Sequence, residues 1–173
     1  MRYEEKNLIV NVHWKGLWNI THKHEDEIYH EIKNNALMDE GESQILDVYF
    51  RGATPPTNLF FGLGNNGGTP GIPAETATLA TITEVSGTGY ARISLNRNTT
   101  DFPTLSLDSG DYQVVSITKQ FAATGTWTAA DYLFLCDVGS GTAGDLIATV
   151  ALSASRSLVN SDTLDVSMTV KLQ

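Results

Sequence analysis

Apolar and polar residues alternate most cleanly at the end of the chain. There Leu164, Val166, Met168, Val170 and Leu172 interleave with Asp165, Ser167, Thr169 and Lys171. A period of two sends each set to its own face of a strand, so one face is core and the other meets solvent or a neighbour. Strand-like runs recur upstream at residues 59–63, 79–83, 90–95, 112–118, 132–136 and 146–152, bounded by turn residues such as Asn160-Ser161-Asp162 and the Gly-rich stretch 139–144. Residues 8–14, 17–21 and 27–32 read as a meander, broken at Lys15-Gly16 and again by a polar stretch. In its third strand Ile28, His30 and Ile32 face one way and Tyr29 and Glu31 the other; Ile28 and Ile32, four apart after an acidic start, equally suit a short helix within 25–37.

The pattern turns helical near residues 40–51. Asp39 is placed to cap the helix, Glu42 to complete a capping box, and Gly52 to end it, leaving Ile45, Leu46, Tyr49 and Phe50 as an apolar stripe. A helix of this kind is expected to cover an edge or face of the sheet. The predicted fold is mostly β: an antiparallel β-sandwich or jelly-roll-like barrel with one short helix. Residues 1–33 form an N-terminal meander or arm packed on or extending from the core, and residues 34–173 form a β-rich core domain.

Composition narrows the partners. The 173 residues are 41% hydrophobic, enough to bury a core without staples. A net charge of -9 with 11 scattered basic residues argues against nucleic acid, whose phosphates demand clustered Lys and Arg, and points to protein partners. No segment approaches the roughly 18 apolar residues of a membrane span, and the N-terminus lacks a secretory apolar stretch, so synthesis in the cytoplasm and no membrane are expected. The single cysteine, Cys136, sits in an apolar run and reads as a buried thiol.

Candidate chemistry is sparse. His22 and His24 project from one face of a strand, with Glu25, Asp26 and His30 nearby, and could share a metal ion; no second ligand cluster supports them, and a solvated polar turn is the simpler reading. Asp108, Asp111, Asp131, Asp137 and Asp145 could supply a glycosidase pair, yet each sits beside Gly, Ser or a strand end, as turn aspartates do. The stretch Gly62-Leu-Gly64-Asn-Asn-Gly67-Gly68, which leads into the turn-rich loop 64–73, is Gly-rich but is not followed by the Lys-Ser/Thr of a phosphate cradle. Asp101-Phe102-Pro103 with Trp14, Trp18, Trp127 and Tyr132 could line a sugar groove, although core packing suits these aromatics better. No catalytic, cofactor-binding or metal-binding residue is expected.

Four segments carry a resemblance: residues 34–42, Ile45 to Gly52, Leu59-Phe-Phe-Gly-Leu63, and Glu84-Val-Ser-Gly-Thr-Gly-Tyr-Ala-Arg92. In this order, ahead of strands such as 144–149 and 162–166, they resemble small structural proteins of tailed bacteriophages. The resemblance implies a virion protein without catalytic residues: a capsid decoration or cement protein assembled as a homo-oligomer, with itself, the major capsid protein or other virion proteins as partners. The alternatives are a tail-associated subunit (fibre, tip or adaptor) and a carbohydrate- or receptor-binding module; the head is preferred only because the chain is short and lacks a repetitive shaft.

Overall fold

The computed structural model describes residues 14–172. All but the last residue of the strand expected over 8–14 lies outside the described residues. The elements are β1 (Trp14–His24), β2 (Glu27–Asn34), β3 (Ala36–Leu37), α1 (Asp39–Phe50), β4 (Asn58–Gly64), β5 (Ile93–Asn96), β6 (Thr104–Asp108), β7 (Asp111–Val115), β8 (Lys119–Ala122), β9 (Ala130–Cys136), β10 (Leu146–Arg156) and β11 (Thr163–Leu172). Sheet A has the order β2-β1-β11-β7-β6, with β8 also on β11; sheet B has the order β3-β10-β9-β4-β5. Every pairing is antiparallel, and both sheets are open, so the fold is a sandwich and not a closed barrel.

The alternation of β11 drives its inner residues Leu164, Val166 and Met168 into the sandwich, against Leu133, Leu135 and Val150 of sheet B. Trp18 of β1 meets Phe61 of β4 edge-on at 5.0 Å, joining the two layers. Sheet B is covered on its second face too: Tyr132, Phe134, Cys136 and Leu146 lie under Met38 and Leu79. With both faces covered, every residue of β9 is buried.

Several expectations are corrected. The break at Lys15-Gly16 is absent, because β1 runs unbroken to His24, and Gly16 instead admits the Asn35 side chain, whose Oδ1 would lie 1.9 Å from an added Cβ. The turn comes at Glu25-Asp26, with Glu25 at φ 51°, and β2 follows as a strand, so no helix forms within 25–37. Residues 79–83 are turns and not a strand; Thr81 and Ile82 both donate to the Thr78 carbonyl, which rolls Leu79 and Ile82 onto the outer face of sheet B. The strand expected over 90–95 starts only at Ile93. That expected over 112–118 stops at Val115, where Ser116 exchanges hydrogen bonds with Met168 and hands the edge of β11 from β7 to β8. Strands β3, β6 and β8 were not anticipated.

The helix forms where expected but is turned differently. Met38, with no side-chain cap bond, occupies the N-cap, and Asp39 is already helical. Glu40 accepts from the Leu146 amide at 2.7 Å, and Gly41 sits directly on β10, so the inward face is Gly41, Gln44, Ile45 and Val48. Leu46, Tyr49 and Phe50 consequently point outward, at 55%, 74% and 80% exposed.

Candidate interaction surfaces

The structure disperses most of the candidate chemistry. His22 and His24 share the inner face of β1, where His24 Nδ1 lies 2.9 Å from both Asp162 carboxylate oxygens and His22 Nε2 lies 3.9 Å from Oδ2. Burial, with Arg156 nearby, pushes the His22 pKa down; the bond to Asp162 pulls that of His24 up. His30 is on the opposite face of the sheet, 2.6 Å from Asn19 Oδ1, so the three histidines do not converge. Among the described residues no group of three His, Cys, Asp or Glu side chains could hold a metal ion.

The carboxylates hold turns and loops. Asp131 Oδ2 accepts from the amides of Asn66 and Gly68 and so pins the Gly-rich loop. Asp137 and Asp145 both accept from the Gln44 amide, fastening α1 to the turn before β10. Asp108 and Asp111 flank a hairpin tip beside Lys171 Nζ, at 3.1 and 3.6 Å. Asp101 accepts from the Asn96 backbone and from Lys119 Nζ at 2.6 and 2.9 Å; burial alone would raise its pKa, but these donors hold it below the usual range. Cys136 is buried, and burial raises its thiol to about 11, which leaves little thiolate at neutral pH. Trp18, Trp127 and Tyr132 are buried, and Trp14 is half-buried, so these aromatics do not form an open groove.

The segment 84–92 is a clasp. Its glycines permit the turn: Gly89 has φ 78°, and a Cβ there would strike Thr124. The Thr88 carbonyl between them accepts from Trp127 Nε1 at 2.9 Å and from Thr124. Tyr90 Oη donates to Glu84 and accepts from the Leu63 amide. Arg92 binds Glu84 with two donors, reaches the carbonyls of Val138 and Gly141, and lies over the Phe134 ring at 5.3 Å. The clasp thus ties β4, the turn after β9 and the approach to β9 into one unit.

What the described surface offers is apolar area. Leu46, Tyr49 and Phe50 project from α1, Ile28 and Ile32 from the outer face of β2, and Leu105, Leu107, Tyr112 and Leu172 from the β6–β7 end of sheet A. Sequence reasoning missed Leu105 and Leu107 and placed Leu172 on a face expected to be core. Leu105 and Leu107 alternate with Ser106 and Asp108 ahead of Ser109-Gly110, which is a hairpin signal, but nothing local tells an uncovered apolar face from a covered one.

No curated protein and no solved structure matches the chain. The family model described as Podophage GP4 fiber I protein gp80 matches residues 36–171, most of the chain and nearly all of the segments that carry the resemblance noted in the sequence. A mostly-β sandwich without convergent chemistry among its described residues, matched over that span, belongs to the Podophage GP4 fiber I protein gp80 family, and the chain is a fibre-associated structural protein of a tailed bacteriophage.

Proposed function

We propose that this chain is a non-catalytic subunit of a tail fibre, held in the virion by association with itself and with other virion proteins. The observation that carries the reading is the match to a fibre protein family along residues 36–171. The surface chemistry supports it: large apolar side chains stand exposed on strand and helix faces, as expected of a module that packs against proteins. The match favours the tail over the capsid decoration expected from chain length, since it offers nothing specific to heads.

The test is fractionation of disrupted virions into heads and tails, followed by mass spectrometry and gold-labelled antibody imaging of the chain. Label on fibres projecting from the tail supports the reading. Label over the capsid surface, with none on tails, overturns it in favour of decoration.

A further inference from the structure

We propose that the inner face of the β6–β7 hairpin is a self-association surface, which packs against the same face of a second copy of this chain. The inference deepens the fibre-subunit reading and rests on it. Directly opposed residues of antiparallel strands share a face. Val170 of β11 opposes Val114 of β7, which opposes Leu105 of β6, and Tyr112 opposes Leu107. Val166 and Met168, four and two residues before Val170, point into the sandwich. The side of the hairpin bearing Leu105, Leu107 and Tyr112 is therefore the continuation of the core face of sheet A.

Sheet B does not reach beneath it. Among the named strands, the hairpin packs extensively only on itself and on β11. Leu105, Leu107, Tyr112 and Leu172 are left 73%, 62%, 65% and 54% exposed. The reverse side of β6 carries Thr104, Ser106 and Asp108, so the strand is patterned like any other half-buried strand and lacks only its opposing layer.

A second copy supplies that layer. An inner sheet face packs on another apolar sheet face about 10 Å away, and the same face turned about a two-fold axis is such a partner. Four large side chains exposed to this degree present on the order of 500 Å², the size of the largest patches seen on monomers. Two copies then bury about 1,000 Å², the threshold for a specific interface. On the reverse side of the hairpin, Lys171 Nζ lies 3.1 Å from Asp108 and 3.6 Å from Asp111, which neutralises part of the local charge of a chain of net charge -9 while leaving the patch itself uncharged. Among the described residues the outer edge of β6 has no neighbouring strand in sheet A, and it adds open backbone donors and acceptors beside the patch.

The experiment is light scattering on the full chain over a range of concentrations, with Leu105→Lys and Leu107→Lys as test variants and Leu46→Lys as a control on α1. Because all three positions are exposed, circular dichroism is expected to show unchanged folding. Association of the parent chain, at least tenfold weakened by either hairpin variant and unaltered by the control, is the expected result. A monomeric parent chain, or association that ignores the hairpin variants, overturns the inference. So does a monomer that associates through these leucines only after residues 1–13 are removed, because the face is then covered within one chain. Fibre labelling with no self-association sinks this inference, and with it the self-contact in the proposed function, but leaves the fibre location standing; self-association through the hairpin without fibre labelling sinks the fibre location alone.

Discussion

Arg92 grips Glu84 through two hydrogen bonds, Nε to Oε1 at 3.0 Å and Nη2 to Oε2 at 2.8 Å, with 3% of the Arg92 side chain exposed. The pair closes the clasp across three chain segments. Arg92→Met removes these bonds together with those to Val138 and Gly141, and leaves the Glu84 carboxylate without a cation, held only by Tyr90 Oη. A loss of about 3 kcal/mol is expected. Urea unfolding checks it, and Arg92→Lys should recover less than half, because a lysine lacks the planar fork.

Gly41 offers a case in which local propensity and tertiary contact predict opposite signs. Replacing a helical glycine by alanine ordinarily stabilises by about 1 kcal/mol. Here the new Cβ would lie 2.3 Å from the carbonyl oxygen of Ile147, backbone that cannot swing aside. Gly41→Ala should instead destabilise by about 2 kcal/mol, seen as a lower urea midpoint.

Two glycines of β4 make room for aromatic rings. Gly62 opposes Phe134 and Gly64 opposes Tyr132, and an added Cβ would fall 2.1 Å and 1.9 Å from those rings. The rings are wedged under Met38 and Leu79, so they have little space to retreat. Gly62→Ala should cost about 1–3 kcal/mol by thermal or chemical unfolding. The double variant Gly62→Ala with Phe134→Leu should recover part of that loss.

The His24–Asp162 contact makes stability depend on pH. The Asp162 bond raises the His24 pKa above its ordinary 6.5, so the folded state holds the proton more tightly than the unfolded one. That contribution is fully present below about pH 6.5 and is lost as pH rises through the folded value. His24→Ala should therefore cost more stability at about pH 5.5 than at about pH 8.5, in paired urea titrations. His22 acts in the opposite sense. Burial lowers its pKa, so wild-type stability falls as acid protonates it, and His22→Gln should flatten that part of the profile.

Much of the architecture was legible in the residues themselves. The strict alternation of Leu164 to Leu172 fixes which side of β11 enters the core, because a period of two leaves no other face for the apolar set. The apolar run at 132–136 identified β9, and Asp108 and Asp111 were recognisable as turn residues from Ser109 and Gly110 beside them, whereas Asp131, expected in a turn, lies buried inside β9. The helix near residues 40–51 followed from its spacing, although its rotation did not: Ile45, Leu46, Tyr49 and Phe50 form an apolar stripe on paper. Docking is instead decided by Gly41, whose missing side chain allows the closest approach to Ile147.

Tertiary structure alone decided the rest. Leu79 to Thr83 has strand composition, yet it becomes a turn because its apolar residues are needed as a lid on the second face of sheet B. Glu84 and Arg92 became partners only when the turn at Gly89 brought them together over Phe134. Leu105 and Leu107 have the same local pattern as Val166 and Met168, and differ only in what stands opposite. Alternation determines that a strand has an apolar face; whether that face is buried depends on where the second sheet ends, which is set by contacts between residues far apart in the chain.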